Sequence, residues 1–157
     1  MPVKRLREYL DSHDVMYVVI SHSPAYSAQE IARAAHVPGY EMAKTVIVRL
    51  DGELVMVVMP APTKIRFGRL LELSGAAQVE LAREKDFIHL FPGCELGAMP
   101  PFGNLYEIPV IVEEALTHDT QICFNAGTHT ELIRMSYSDF DALVKPTVMR
   151  MPEYGNI

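Results

Sequence analysis

The apolar runs Met42–Leu50 and Glu53–Met59 flank the dipeptide Asp51-Gly52, and no other feature constrains the fold as strongly. A two-residue loop that follows the strand twist needs positive φ at both positions, which Asp-Gly tolerates, so the runs are expected to form an antiparallel hairpin. Period-two alternation places Met42, Lys44, Val46 and Val48 on one face, and Ala43, Thr45 and Ile47 on the other. Both faces are mainly apolar. Around this hairpin, strand-like and helix-like segments follow one another without a regular βαβ alternation. The expectation is therefore an α+β domain with a mixed sheet, not a doubly wound one.

The remaining elements are read from local signals. Val3, Leu6 and Leu10 recur at helical spacing over residues 3–12, and Val15–Ile20 is a β-branched run. Ser27-Ala28-Gln29-Glu30 has the form of a capping box before a short helix that stops ahead of Pro38-Gly39. Arg66–Leu73 reads as a helix with Gly75 just past its end. Gln78–Leu81 reads as a strand, Ala82–His89 as a charged helix and Leu105–Val112 as a strand. Gln121–Phe124 and Leu132–Ser136 are expected to pair. Ser138-Asp139-Phe140-Asp141 is expected to cap a last helix to about Val144, ahead of an irregular tail over 146–157. The 157 residues are read as one domain, a size that buries roughly 68–70% of its unfolded surface.

Composition narrows the function classes. The chain is 49% hydrophobic with a formal net charge of −6, which argues against wholesale nucleic-acid coating but leaves room for a local basic patch. Lys64, Arg66 and Arg69 form the densest such group outside the N-terminus. No apolar stretch is long enough to span a bilayer and no secretory h-region follows the N-terminus, so a cytoplasmic setting with no membrane partner is expected. The two cysteines, Cys94 and Cys123, fit neither a disulfide framework nor a zinc pattern, and the six histidines are scattered. The sequence has no Gly-x-x-x-x-Gly-Lys, Gly-x-Gly-x-x-Gly, His-Glu-x-x-His or Gly-x-Ser-x-Gly motif. No metal or other cofactor is expected.

Three features stand out as chemistry. Phe91-Pro-Gly-Cys-Glu-Leu-Gly-Ala-Met-Pro-Pro-Phe-Gly103 is a loop of imposed shape, either a stiff connector or a ligand grip that uses backbone N–H groups. Lys44 stands at the start of an otherwise apolar strand, where its ammonium must either snorkel to solvent or enter a polar cleft. His129 is expected to be exposed at a hairpin tip. Ser23, Tyr26 and Asn125 can hydrogen-bond a ligand or their own turns.

In order, His22-Ser23-Pro24, Met42-Ala43-Lys44-Thr45, Lys64-Ile65-Arg66-Phe67, Gly97-Ala98-Met99-Pro100-Pro101-Phe102-Gly103 and Asn125-Ala126-Gly127-Thr128-His129 resemble the YbaK/prolyl-tRNA-editing domain family over roughly residues 3 to 145. The resemblance implies a mixed, mostly antiparallel sheet curved around a small pocket, with flanking helices. It also implies hydrolysis of the ester that joins a wrong amino acid to the 3′-terminal ribose of tRNA. Lys44 then corresponds to the family lysine, Gly97–Pro101 to its Gly-x-x-x-Pro loop, and His129 to a histidine of the synthetase insertion. Gly97, Ala98 and Met99 have N–H groups to offer a carbonyl, whereas Pro100 and Pro101 stiffen the turn and donate nothing. Further substrate contacts are expected at Ser23, Tyr26, Thr45, Asn125 and Thr128, and acceptor-stem contacts at Lys64, Arg66 and Arg69. The implied partners are a mischarged tRNA, probed for Ala, Ser or Cys on tRNA-Pro, and a prolyl-tRNA synthetase, with monomer and homodimer both open. The alternative is a non-catalytic module that binds an aminoacyl or nucleotide end in the same place.

Overall fold

The computed structural model of the chain describes residues 3–150. In chain order the elements are α1 (Lys4–Ser12), β1 (Tyr17–Ser21), α2 (Ala28–Ala34), β2 (Met42–Leu50), β3 (Glu53–Pro60), α3 (Phe67–Ser74), β4 (Val79–Leu81), α4 (Glu84–Phe87), β5 (Val110–Glu113), β6 (Gln121–Asn125), β7 (Glu131–Ser136), α5 (Tyr137–Val144) and β8 (Thr147–Met149). The strands form one curved, mixed sheet in the order β1-β7-β6-β2-β3-β5-β8, and β4 lies against β2. The fold is α+β, as the sequence predicts.

The β2–β3 hairpin sits at the centre. Asp51 and Gly52 adopt φ of +49° and +86°, the double positive-φ turn that the dipeptide foretells. The Asp51 side chain also accepts hydrogen bonds from the N–H groups of Ala77 and Gln78, each 2.9 Å, and so ties the hairpin tip to the approach of β4. Both faces of the hairpin are buried. Ala43, Ile47, Met56 and Val58 join the main core with Leu6, Leu10, Phe102, Phe124 and Phe140, beneath α1 and α5. On the other face, Met42 packs with Ala25, Ile31, Ala32, Cys123 and Leu132 under α2, and Val48, Val55 and Val57 pack with Leu70 of α3.

One topological detail positions the site. β2 pairs in parallel with β6 only through Met42–Cys123 and Ala43–Phe124, and pairs with β4 from Val48 onward. Among the described residues no strand covers Lys44, Thr45 and Val46 on that side. The sheet forks there, with Lys44 and Asn125 the next residues on the two diverging strands.

Several local expectations are corrected. β1 begins at Tyr17, not Val15, because Asp14 turns with φ +54° and Val15 N–H returns to Leu10 O, leaving Met16 exposed. Ala82–His89 shortens to α4 followed by a 3-10 turn at Ile88–Leu90. The strand expected at Leu105–Val112 starts only at Val110, since Tyr106 and Ile108 N–H groups fold back onto Gly103 O. The last helix is capped by Ser136, whose hydroxyl accepts from Asp139 N–H at 3.1 Å, and not by Ser138. Residues 147–149, expected within an irregular tail, form β8 parallel to β5. The rest of that tail from residue 151 lies outside the described residues.

Candidate active site

The Pro/Gly loop is divided between surface and core. Glu95, Leu96 and Gly97 are exposed, whereas Ala98 through Gly103 are buried. Its buried end is anchored by Phe102, which is fully buried with its ring 5.4 Å from Phe140 and 5.5 Å from Phe124. Removing such a ring costs about 3–5 kcal/mol, against about 1 kcal/mol for one loop hydrogen bond, so packing seats the loop. Hydrogen bonds then set its register on the β6–β7 turn. Glu95 N–H donates to Gly127 O at 2.7 Å, and Gly127 N–H donates to Ala98 O at 2.9 Å.

Gly97 has φ +80°, a conformation that an L side chain adopts only with strain. Of the three N–H groups offered by the sequence, that of Ala98 is already used within the loop, donating to Glu95 O at 3.0 Å. Among the described residues the N–H groups of Gly97 and Met99 have no backbone acceptor. The candidate donors are thus Gly97 and Met99.

His129 is buried, with 9% exposure, and not an open hairpin tip as expected. Three contacts enclose it. Its N–H donates to Glu95 Oε1 at 2.6 Å, its Nε2 lies 2.6 Å from Leu96 O, and the Tyr26 ring lies 4.7 Å away, centroid to centroid. A carbonyl only accepts, so Nε2 carries the proton in that bond and Nδ1 is the acceptor of the neutral ring. Among the described residues Nδ1 is buried without a partner. The Cε1 atom beside it faces Gly97, where an added Cβ would stand 3.6 Å away.

Lys44 is half-buried at the fork of the sheet. Burial pushes its pKa down, and the nearby Lys64 ammonium adds to the shift. Lys64 itself is exposed, so the two cations form a graded pair from surface to interior. By strand alternation Lys44 shares a face with Met42, and Asn125 shares it with Cys123. Asn125 is 9% exposed, and among the described residues its Oδ1 is buried without a partner. This end of the site combines a partly desolvated cation with a buried acceptor, an arrangement suited to a ligand carrying both an oxyanion and an N–H or O–H donor.

The other expected residues divide. Tyr26 is 72% exposed and forms an open plate over His129. Ser23 is exposed, with its carbonyl accepting from His22 Nδ1 at 2.7 Å. Pro100 and Pro101 are buried behind the loop. Thr128 turns to its own neighbours, Thr130 at 3.4 Å and Glu131 at 3.5 Å. Thr45 lies on the opposite face of β2 from Lys44. Arg66 is the N-cap residue of α3, and Arg69 is engaged with Glu72 at 3.2 Å and with Arg150 O at 3.4 Å. Lys64 is therefore the basic residue of that group that stands with Lys44.

Glu95 and His22, quoted in the sequence only inside longer motifs and given no role there, join the candidate site. Glu95 acts on a partner 34 positions away, and no local pattern announces that. His22 adjoins the Ser-Pro break and ties it to the turn through its N–H, which donates to Thr130 O at 2.9 Å. Among the described residues no group of three or more His, Cys, Asp or Glu could hold a metal ion, and no helix is long and apolar enough to cross a membrane.

Comparison with known proteins places this geometry in context. Over 99 residues the chain is 24% identical to the proline–tRNA ligase of Bacillus mycoides (strain KBAB4), a match over 63% of this chain and 17% of that protein. The chain thus spans about a sixth of the ligase. Among solved structures, the hypothetical protein APE2540 superposes with a TM-score of 0.82 at 22% identity, covering 94% of this chain and 98% of that one. A protein described as a candidate trans-editing enzyme for prolyl tRNA synthetase superposes with a TM-score of 0.78 at 19% identity, covering 94% of both chains. These likenesses show the fold. The family model for the aminoacyl-tRNA editing domain matches residues 22–143, which span the fork, the loop and the β6–β7 turn, and the chain belongs to that family.

Proposed function

We propose that the protein is a deacylase acting in trans on tRNA that carries a wrongly esterified small amino acid, with alanine, serine or cysteine on tRNA-Pro as the first substrates to test. The observation that carries this reading is the Lys44 ammonium, half-buried at the fork of the sheet on the same face as Asn125. Ester hydrolysis requires a positioned water and donors aimed at the developing oxyanion, and a side-chain nucleophile is not essential. Water oxygen bonds to the carbonyl carbon, negative charge passes to the carbonyl oxygen, and the ribose oxygen leaves as a hydroxyl carrying a proton derived from the water. Lys44 and the N–H groups of Gly97 and Met99 are the groups assigned to that oxyanion.

Tyr26 and Lys64 suit the rest of the tRNA end. An exposed aromatic ring is a stacking surface for an unpaired base, and a surface lysine beside the site suits a phosphodiester. Lys44 at the centre, Lys64 at the rim and Tyr26 over His129 would then read oxyanion, phosphate and base in turn. A second site of this kind answers a known deficit. One methylene in an apolar pocket is worth only about 1–3 kcal/mol, so a synthetase rejects a smaller amino acid poorly by binding alone.

The test is release of amino acid from Ala-, Ser- and Cys-charged tRNA by the purified chain, with Lys44→Ala measured beside it. The expected result is turnover of at least one ester and a loss of roughly 100-fold or more in kcat/KM for Lys44→Ala, with an unchanged melting temperature. Tight binding of an aminoacyl-adenosine analogue with no turnover of any ester would instead favour a binding module.

A further inference from the structure

Tyr26 covers His129 at one end of the site, and a second open tyrosine, Tyr40, stands at the other with 60% exposure. Their order along the sheet follows from the strand register. β2 and β6 run parallel with Met42 level with Cys123, so Tyr40 comes before Lys44 on that axis and the turn carrying His129 comes after it. β2 and β3 run antiparallel with Ala43 opposite Pro60, so residues 61–64 leave the sheet at the Tyr40 end. The order along the surface is therefore Tyr26, Lys44, Lys64, Tyr40.

Tyr40 is held beside the segment that carries Lys64. It occupies the middle of the 3-10 turn Gly39–Glu41, which Glu41 N–H closes on Pro38 O at 2.9 Å. The neighbouring turn is closed by Thr63 N–H on Pro60 O at 2.9 Å and tied to β2 by Ala61 N–H on Met42 O at 2.7 Å. The two turns touch, since a Cβ on Gly39 would stand 3.6 Å from Pro62 Cγ. Tyr40 is one residue from that contact and Lys64 two, so an aromatic plate and an ammonium share one rim. The acidic neighbour Glu41 bears on the other side. Burial and then the Glu41 carboxylate raise the Asp119 pKa, whereas the Lys44 pKa answers to burial and to Lys64. A lone exposed tyrosine is ordinary, but a tyrosine and a lysine together on the way out of a site supply the stacking surface and the charge that a single strand requires.

We propose that Tyr40 and Lys64 form a subsite for the nucleotide that precedes the esterified one, an inference that rests on the deacylase reading above. With the ester at Lys44 and the terminal base on Tyr26, the phosphate joining the last two nucleosides lies at Lys64 and the penultimate base stacks on Tyr40. Every base has a π-face, so this subsite reads the presence of an unpaired nucleotide and not its identity. The consequence is selectivity for length: an aminoacyl nucleoside is a poorer substrate than an aminoacyl dinucleotide.

The experiment takes whichever of the alanyl, seryl and cysteinyl esters the wild type turns over on tRNA, and compares that ester of adenosine with that ester of the dinucleotide cytidylyl-adenosine. Each kcat/KM is divided by the uncatalysed rate of the same ester at the same pH, which removes intrinsic differences in reactivity. The added nucleotide is expected to raise the wild-type value about tenfold or more. Tyr40→Ala is expected to erase most of that gain through KM, and Tyr40→Phe to keep it. The adenosine ester ends short of Tyr40 and should not respond to either change. On a dinucleotide with an abasic penultimate residue, wild type and Tyr40→Ala should turn over alike. Salt separates the two groups: Lys64→Ala lowers the dependence of log kcat/KM on log salt by about 0.7, the share of one phosphate on a single strand, and Tyr40→Ala leaves it unchanged. Equal wild-type values on the two esters overturn the inference and leave the deacylase intact, as does a dinucleotide rate that Tyr40→Ala does not change. Equal losses on both esters mark a structural role for Tyr40, and a loss confined to full-length tRNA moves it to the paired stem; each also overturns the inference. Acceleration of no ester of any length removes the deacylase reading itself, and this inference with it.

Discussion

The two halves of one loop behave as different kinds of structure. From Ala98 to Gly103 the chain is buried, led by a phenylalanine in the aromatic core and closed by a glycine against which nothing else fits: a Cβ on Gly103 would stand 2.3 Å from Ile108 O. From Glu95 to Gly97 it is exposed, and its contacts across the site go to His129 and Gly127. The buried half sets where the exposed half stands. A loop rich in proline and glycine is thus both a buried connector and an exposed edge of the candidate site, with the boundary at Ala98.

Substitutions in the two halves should separate along that line. Gly103→Ala is expected to have the largest effect, a loss of about 3 kcal/mol or more in urea unfolding, because the clash is with backbone that cannot rotate away. Activity per folded molecule should change little. If Gly103→Ala melts like the wild type, the buried half is not the anchor described.

Gly97→Ala should invert the pattern. Its Cβ meets only the His129 ring edge at ordinary contact distance, so the stability loss is limited to about 1–2 kcal/mol of strain at positive φ. Deacylation should fall by more than the stability change accounts for, since the donor edge is displaced. A proportional fall in both would merge the two halves into one structural unit.

Glu95→Ala is the smallest of the three, removing the acceptor for His129 N–H at a cost of about 1 kcal/mol. It sharpens the comparison through KM. A site-shaping role predicts a raised KM on alanyl-tRNA at an almost unchanged melting temperature, whereas a purely structural role moves the melting temperature alone.

Much of the frame was legible because its causes are local. Asp51-Gly52 needs only its own backbone to turn, the Ser27 hydroxyl reaches Glu30 N–H within one helical turn, and Gly75 ends α3 with φ +75°. Misreadings arose where two local signals competed or where pairing came from afar. Ser136 and Ser138 both offer a hydroxyl at the start of α5, Ser136 just before it and Ser138 within its first turn. The choice of Ser136 is made by β7, which runs to that residue in register with Gln121. Thr147–Met149 is only three residues long and follows Pro146, too short to announce a strand by itself, and becomes β8 because β5 offers an edge.

For the site, the residue types were visible and the environments were not. The sequence marked Lys44 and the Pro/Gly loop by their local oddity, and the resemblance to the editing-domain family joined Lys44 and Gly97 with Asn125 and His129 as a spaced set. Only the tertiary structure decided that His129 is enclosed, that Ala98 N–H is spent inside the loop, and that Lys44 lies where β2 and β6 part. Hydrogen-bond supply and burial are set by groups tens of residues apart. A sequence lists donors and acceptors; packing determines which remain unpaired to meet a substrate.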